Sequence, residues 1–387
     1  MKKLLRPIYF SLTNPSLAKP IFYDLFGKKG KIKDNALHLK KAAEWILQSQ
    51  KVNPDGGSAS HLDRTGWLPS FPETTGYIIP SMLKYCKYSG DTLYRESAIK
   101  MGEFLLKQQL ENGAYQGGNL SAEKKVPTIF NTGQIIFGLC ALFEETKDER
   151  FLNAATKAGD WMCSVQDNDG CWRKGLSPYA DQIPHPYNVR AAWALLELNK
   201  INPKSDYVLS NEKNVNWTLS QKNDNHWFIN NAFVKGNPPF THTIAYTLRG
   251  ILESGIVTNN DHWIQEVKKS VDQLTIVMRS NGTFGSRLDD KWNSQDHSSC
   301  LTGNLQLSII YGKLYELFNE KKYLENLKRI NAFHKSTQFT KGSVNTTGAI
   351  KGSHPFWGAY CPYSYPNWAT KFFIDALLLE EEIVASD

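Results

Sequence analysis

Residues 166–172 read Gln166-Asp167-Asn168-Asp169-Gly170-Cys171-Trp172, which is a glutamine, three residues, a glycine, one residue and a tryptophan. Fainter copies of this stretch begin at five other positions: Gln50, Gln109, Gln221, Met278 and Gln338. The starting positions are spaced by 55 to 60 residues. A fixed period of this length is typical of repeated supersecondary units. The stretch therefore predicts a chain built from six similar units.

The copies preserve the pattern to different degrees. Tyr115 replaces the tryptophan in the second copy, Asn225 stands in the glycine position of the fourth, and Gln338 has no clear glycine–aromatic partner. We interpret the motif as structural. The glutamine is expected to bond a helix end, the glycine to permit the turn, and the aromatic ring to pack in the seam between repeats.

Apolar residues recur at helical spacing between these loops. We predict helices at 35–50, 72–88, 92–109, 131–145, 149–166, 186–198, 207–221, 241–252, 263–278, 299–317, 323–335 and 367–381. Some connections are short, as antiparallel neighbours require, whereas those that carry the repeated loop are long. Six helix pairs suffice to close a ring, so we predict one domain over residues 35–387, preceded by an N-terminal extension of residues 1–34.

Six helical hairpins with Gln-x-x-x-Gly-x-Trp-like loops resemble the (α/α)6 toroid proteins. That group includes six-hairpin glycosidases, polysaccharide lyases and uronate epimerases, and terpenoid cyclases and prenyltransferases. The resemblance covers nearly the whole chain and implies an all-α (α/α)6 toroid. It also implies that the long loops and the inner-helix N-termini surround one mouth of the barrel. Unrelated reactions share this scaffold, so the resemblance defines the fold and leaves the reaction open.

Composition limits the classes of partner. The chain has 387 residues, of which 41% are hydrophobic and 21% charged, as in a globular protein with a sizeable core. A net charge of +7 is mild for this length and no basic run is dense, so no nucleic-acid partner is expected. The six cysteines show no Cys-x-x-Cys spacing, and we expect neither a metal site nor another cofactor.

The N-terminus carries no recognisable targeting signal. The charged start Met1-Lys2-Lys3 is not followed by the apolar stretch of a signal peptide, so a cytoplasmic location is expected. No segment approaches the roughly 18 apolar residues of a transmembrane helix. Residues 1–30 mix apolar side chains with lysines and are expected to pack against the domain. A weak contact with a membrane surface is the alternative for this segment.

Polar side chains concentrate at the starts of the predicted inner helices. Capping explains Thr and Asn there, but not His, Arg and Tyr one turn further along, which predict a polar-lined cavity. His185, Tyr187, Asn188 and Arg190 fall within six consecutive positions. His242 and Tyr246 are spaced i, i+4 and share a helix face, and Asn131 and Gln134 are spaced i, i+3.

This set of residues matches the needs of uronate chemistry. The substrate carboxylate must be neutralised, a His or Tyr must remove the neighbouring proton, and a Tyr can protonate the leaving oxygen. The mix also resembles toroidal lyases in residue type. We predict Tyr246, His242 and His185 as the acid and base groups. The predicted substrate-binding residues are Asn131, Gln134, Tyr187, Asn188, Arg190, Asn304, Trp67 and Tyr77. A buried Arg190 needs an anionic partner, either Glu73 or the substrate.

The favoured hypothesis is therefore β-elimination or C5 epimerisation of an anionic, uronate-containing glycan, in surface-polysaccharide metabolism. A glycoside hydrolase is the first alternative, with Glu73 as its catalytic residue, although no second carboxylate stands out and Glu73 also suits the first turn of a helix. A non-catalytic glycan-binding toroid is the second. Terpenoid cyclisation or prenyl transfer is disfavoured, because the nearest acidic pair, Asp289-Asp290, lies in a loop and no Asp-x-Asp-Asp motif is present.

Overall fold

The computed structural model describes residues 2–118 and 120–386, with the side chains of residues 2–6 and 16 left aside. Its α-helices are α1 Lys2–Thr13, α2 Pro15–Leu25, α3 Asn35–Lys51, α4 Pro72–Ser89, α5 Leu93–Gln108, α6 Ile129–Thr146, α7 Glu149–Ser164, α8 Val189–Ile201, α9 Ser205–Ser220, α10 Thr241–Thr258, α11 Asp261–Val277, α12 Leu301–Phe318, α13 Lys321–Thr337 and α14 Asn367–Ser386. A 3-10 turn, Pro186–Asn188, precedes α8.

Short strands occupy the long loops. They are β1 His61–Asp63, β2 Gly66–Trp67, β3 Gln116–Gly117, β4 Val126–Pro127, β5 Ser299–Cys300, β6 Ser353–His354 and β7 Tyr365–Pro366. All pairings are antiparallel, in a three-stranded sheet of order β2-β1-β7 and two two-stranded sheets, β3-β4 and β5-β6. The β1-β7 pairing sets Leu62 opposite Tyr365 and so joins the first long loop to the last.

Six helices form a closed inner ring. Each of α4, α6, α8, α10, α12 and α14 contacts the next, and α14 also contacts α4. The other helices of the repeats, α3, α5, α7, α9, α11 and α13, lie outside this ring. Inner helices are buried on nearly all faces, whereas outer helices are amphipathic, as their positions in the two layers require. The prediction of an all-α (α/α)6 toroid is confirmed.

The repeated loop links neighbouring outer helices. The Gln166 side-chain amide donates to the Gly170 carbonyl at 2.9 Å and to the Ser210 carbonyl of α9 at 2.9 Å. Gln109 does the same with Gly113 and with Ala154 of α7. The glutamine therefore bonds a carbonyl within the next outer helix, and our expectation that it bonds a helix end is wrong.

Glycine is required in this loop for two reasons. Gly170 has φ +91°, and a Cβ there would lie 2.3 Å from the Lys213 carbonyl oxygen of the neighbouring helix. In the fourth copy the residue with positive φ is His226, at +59°, and not Asn225 as predicted. The turn in that copy therefore begins one residue later, counted from Gln221, than the turn after Gln166. His226 takes the positive φ that glycine adopts in the other copy.

The N-terminal extension folds into α1 and α2, which the sequence did not predict because Pro7 and Pro20 interrupt its apolar pattern. Leu17 and Ile21 are buried in the main core. The buried Asp24 carboxylate pairs with Lys351 Nζ at 2.6 Å. Residue 1 lies outside the described part of the chain. Among the described residues, no helix has both the length and the apolar character needed to cross a bilayer.

Candidate functional site

A cavity of about 360 Å³ opens at the mouth of the toroid. First turns of inner helices and the long loops before them form its walls. The lining residues are Ser60, His61, Phe71, Glu73, Thr74, Tyr77, Phe130, Asn131, Ser177, Tyr179, Tyr187, Phe233, His242, Tyr246, Tyr360, Cys361 and Trp368. Six residues that the sequence singled out thus meet here: Glu73, Tyr77, Asn131, Tyr187, His242 and Tyr246.

Glu73 is the one carboxylate among the described residues that line this cavity. It stands in the first turn of α4, directly after Pro72. Burial raises the pKa of Glu73 to about 8, and the positive charge of Arg190 opposes this shift only in part. No described residue donates a hydrogen bond to the carboxyl group. Glu73 is therefore mainly protonated at neutral pH and can donate a hydrogen bond.

Phenol groups surround this carboxyl group. Burial raises the pKa of Tyr246 and of Tyr187 above the usual range, and the nearby Glu73 adds to both shifts. The pKa of Tyr77 is also raised well above its ordinary value by burial, then by Tyr246 and Glu73. All three phenols stay protonated at neutral pH. They can therefore act as proton donors without first taking up a proton.

His242 lies beside these phenols in the first turn of α10. Its ring centroid is 5.5 Å from that of Tyr246 and 4.6 Å from that of Tyr360. Burial lowers the pKa of His242 to about 3, so the imidazole is neutral. Its Nδ1 atom is buried and has no hydrogen-bond partner among the described residues. The ring therefore retains an uncommitted nitrogen next to the cavity.

Aromatic rings form most of the remaining wall. Phe130 lies 5.0 Å from Tyr246 and 5.6 Å from Tyr187, between ring centroids. Phe233 lies 5.7 Å from Tyr187. Such faces suit the apolar C–H faces of sugar rings, and the Asn131 amide supplies polar contacts beside them. The cavity can therefore hold a sugar against rings while presenting acidic hydrogens to it.

Several predicted site residues serve the fold instead. Both ring nitrogens of His185 are within hydrogen-bond distance of backbone carbonyls, those of Asn230 and Asp181, so this histidine is committed to its loop. Asn304 accepts from the Phe284 N–H and donates to the Cys300 carbonyl. These two side chains hold backbone and do not line the cavity.

Two further predicted residues also lie outside the cavity lining. The Trp67 ring packs against Trp45, with centroids 5.1 Å apart. Asn188 is buried in the 3-10 turn before α8. Trp67 lies in a long loop and Asn188 at a helix start, so both are near the mouth in the chain. Neither side chain points into the cavity.

Arg190 and Gln134 follow the mouth-lining residues Tyr187 and Asn131 by about one helical turn, and neither lines the mouth cavity. Arg190 Nε donates to Gln134 Oε1 at 2.8 Å, and both side chains are buried. The expected ion pair of Arg190 is absent, because no described carboxylate lies within 4.0 Å of its guanidinium. Arg190 acts on Glu73 through space, by lowering its pKa. Both residues were predicted to bind the substrate, but neither side chain lines the mouth cavity.

Tyr360 is the main residue that the sequence did not reveal. It comes from the last long loop, accepts a hydrogen bond from Trp368 Nε1 at 2.8 Å, and packs on His242. Its neighbours Cys361 and Tyr363 have positive φ values of 44° and 55°, an unusual backbone for such residues. The one sequence signal was the density of aromatic residues between 356 and 368.

Residues 99–344 match the family model described as the ulvan lyase N-terminal domain. The matched range begins within α5 and ends after α13. It includes Tyr187, His242 and Tyr246, and it leaves Glu73 and Tyr360 outside. No sequence among the curated proteins matches the chain.

Solved structures of carbohydrate-active proteins share the fold. The unsaturated glucuronyl hydrolase from Bacillus sp. GL1 superposes with a TM-score of 0.71 at 13% identity, covering 89% of this chain and 96% of that one. Cellobiose 2-epimerase from Bacillus thermoamylovorans gives 0.69 at 12%, with 87% and 95% covered. A glycoside hydrolase family 76 α-mannanase from Bacteroides thetaiotaomicron gives 0.66 at 14%, with 92% and 98% covered. At these identities the likeness establishes the fold alone.

Proposed function

The chain belongs to the ulvan lyase N-terminal domain family, and from this premise we propose that it acts on a uronate-containing glycan by β-elimination or C5 epimerisation. The observation that carries the proposal is the protonated Glu73 carboxyl group, surrounded by phenols and a neutral imidazole in an aromatic cavity. The ulvan lyase family and the unsaturated glucuronyl hydrolases that share the fold support the same substrate class.

Elimination from a uronate begins at C5. The C5–H bond breaks, its electron pair forms the C4–C5 double bond, the C4–O bond breaks, and the leaving oxygen takes a proton. Removal of the C5 proton requires that the adjacent carboxylate be neutralised, because negative charge builds up on it in the transition state. A protonated Glu73 and the Asn131 amide can donate hydrogen bonds to that carboxylate. This arrangement needs no cation in the mouth cavity.

His242 is then the base and Tyr246 the acid. Burial disfavours the charged form of the imidazole, so by itself His242 is a weak base. A bound substrate carboxylate favours the imidazolium form and so raises the pKa of His242 when the base is needed. Tyr246 stays protonated and can deliver its proton to the leaving oxygen, or to the opposite face of C5 in epimerisation.

Hydrolysis with Glu73 as general acid is the second candidate. Its support is the raised pKa of Glu73, since a carboxyl group that is protonated at neutral pH can protonate a glycosidic oxygen. Against it, hydrolysis of an ordinary glycoside uses two carboxylates, and the described lining of the cavity provides one. A non-catalytic glycan-binding role would use the same aromatic walls without proton transfer.

A panel of uronate polymers separates these functions. We expect the ultraviolet absorbance of an unsaturated uronate to appear if the protein eliminates, or C5 stereochemistry to change without cleavage if it epimerises. New reducing ends without that absorbance would support hydrolysis instead. Binding without any of these changes would leave the glycan-binding role and exclude the enzyme for the polymers tested.

The N-terminal extension supports a further part of the proposal, a weak contact with a membrane surface. Tyr9, Leu12, Phe22 and Phe26 are exposed on α1 and α2 or directly after them. Lys28 Nζ lies 4.9 Å from the centre of the Phe22 ring, so cationic and apolar groups share this surface. Co-sedimentation with anionic vesicles tests the contact, and equal sedimentation with neutral vesicles would contradict its electrostatic part.

A further inference from the structure

A second cavity, of about 440 Å³, lies further along the barrel axis from the mouth. All six inner helices contribute to it, through residues one or more turns beyond those that line the mouth cavity. Tyr77 lines both cavities and therefore stands in the wall between them. We call this second cavity the axial cavity. Two of the predicted substrate-binding residues, Tyr77 and Arg190, line it.

Charged side chains dominate the lining of the axial cavity. Its cations are Lys84, Lys87, Arg190, Arg249, Lys313 and Lys371. Its carboxylates are Glu144, Glu145, Glu197, Glu253 and Asp375. Burial of charge is costly unless each charge is paired, so the pairing of these groups decides what else the cavity can hold.

The carboxylates are almost all committed to partners. Arg249 Nε pairs with Glu253 at 2.5 Å, and Lys371 Nζ pairs with Asp375 at 2.6 Å. Two other carboxylates, those of Glu145 and Glu197, pair with Arg95 and Lys200. Of the described carboxylates that line the cavity, Glu144 alone has no ion pair, and it is exposed. Little negative charge therefore remains for the other cations.

Arg190 is the buried cation that lacks a counter-ion. It is 3% exposed, and within the described part of the chain its side chain donates one hydrogen bond, from Nε to Gln134 Oε1. Its Nη1 atom is buried without a partner among the described residues. The guanidinium lies 5.3 Å from the centre of the Trp193 ring, and that of Arg249 lies 5.4 Å from the same ring. Both guanidiniums thus lie against the Trp193 ring, and of the two only that of Arg249 is paired with a described carboxylate, Glu253.

We propose that the axial cavity is a binding site for a small oxyanion, whose carboxylate, phosphate or sulfate group is held by the free edge of the Arg190 guanidinium. A planar guanidinium presents paired N–H groups to such an anion, which is the partner that Arg190 lacks. The exposed ammonium groups of Lys84 and Lys87 line the same cavity and add attraction for a negative ligand. The site is distinct from the mouth cavity and does not depend on the function proposed for it.

Titration calorimetry and thermal unfolding with three probes test the proposal: inorganic phosphate, inorganic sulfate and glucuronate. We expect saturable binding of at least one probe, with a rise in the unfolding temperature that chloride at equal ionic strength does not give. Phosphate or sulfate binding would identify an inorganic or ester oxyanion, and binding of glucuronate alone would identify a sugar carboxylate. Absence of binding by all three would overturn the proposal.

Variants separate this site from the mouth cavity. Arg190→Met should weaken binding by about tenfold or more, because the group that holds the anion is removed. Since the change also removes the donor to Gln134 Oε1, its unfolding temperature in anion-free buffer is measured as a control for the fold. The double change Lys84→Gln with Lys87→Gln, at exposed positions, should weaken binding without affecting the fold. Lys124→Gln with Lys125→Gln removes the same charge elsewhere and should leave binding unchanged. Equal binding by wild type and both axial variants, or binding lost instead in Tyr246→Phe, would contradict the proposed site.

Discussion

The side-chain amide of Gln338 donates a hydrogen bond to the main-chain carbonyl of His38, 300 residues earlier in the chain, at 3.3 Å. The same amide donates to Gly348 at 2.7 Å, and the amide oxygen lies 2.5 Å from His38 Nδ1. Gln338 belongs to the sixth copy of the repeated loop and His38 to the first outer helix. The contact that links neighbouring repeats elsewhere therefore also closes the ring.

We expect Gln338→Ala to destabilise the protein by about 2 kcal/mol, because two buried carbonyls lose their donor. Chemical denaturation measures this loss. Gln221→Ala is the matched control, since Gln221 is half-buried and, among the described residues, its side chain donates to Ser220 Oγ alone. Its effect should stay within about 0.5 kcal/mol. Equal losses of unfolding free energy in the two variants would mean that the ring-closing hydrogen bonds of Gln338 do not stabilise the fold.

Glu73 should make stability depend on pH in the neutral range. Its folded pKa is raised from 4.5 to about 8, so the folded chain holds this proton more tightly than the unfolded chain. The resulting stability is full below pH 4.5 and is lost as pH rises through about 8. Glu73→Gln should remove this loss, which thermal unfolding at a series of pH values would show. An unchanged pH profile in the variant would contradict the raised pKa.

Activity of Glu73→Gln distinguishes the two candidate reactions. If the protonated carboxyl group only donates a hydrogen bond to the substrate carboxylate, the glutamine amide can replace it and activity should fall by no more than about tenfold. If Glu73 is a general acid, the loss should be about 10²–10⁴-fold, because the amide protons of glutamine are not acidic enough to be transferred. Our account predicts the smaller loss, measured as kcat/KM on the best polymer of the panel.

Tyr246→Phe and His242→Ala should each reduce kcat by about 10²–10⁴-fold if these groups transfer protons. Affinity for the glycan should change little in Tyr246→Phe, because the ring that packs on Phe130 is kept. His185→Ala is the comparison variant: its nitrogens bond backbone, so it should lower the unfolding temperature more than it lowers kcat in the folded fraction. A full loss of kcat in folded His185→Ala would show that His185 takes part in the reaction, as the sequence predicted.

Asp24→Asn should detach the N-terminal extension from the last long loop. The carboxylate pairs with Lys351 and also accepts the Phe356 N–H at 2.6 Å. Removing its charge leaves the buried Lys351 ammonium without its counter-ion, at a cost of about 3–5 kcal/mol. The control Glu44→Gln, which breaks a half-buried pair with Lys41 on one helix, should cost less than about 1 kcal/mol. Similar losses in both variants would contradict this role for Asp24.

The Asp24 pair also predicts acid sensitivity. Although burial opposes ionisation, Lys351 and His354 lower the pKa of Asp24 to about 2, below its ordinary value of 3.8. The stability from this group is therefore present above pH 3.8 and is lost as pH falls toward 2. Acid unfolding of wild type should include this loss, and Asp24→Asn should lack it.

The sequence was sufficient to predict the ring because the repeats carry a helical period, and four of the six loops also carry a glutamine that bonds the next outer helix. It also placed Glu73, Asn131 and His242 at the mouth, since residues in the first turn of an inner helix face that end. It could not place Arg190 or Gln134, because they follow the residues that line the mouth cavity by about one helical turn. Tyr360 was missed because its loop has no period, and its position depends on contacts with Ser353 and Trp368.

Removal of the C5 proton is the central claim, and a substrate labelled with deuterium at C5 of the uronate tests it most directly. Elimination and epimerisation both break the C5–H bond, whereas hydrolysis of the glycosidic bond leaves it intact. Our account predicts that the label is released to solvent during turnover, and that Tyr246→Phe and His242→Ala slow this release. Complete retention of deuterium in the products of an active preparation would contradict it.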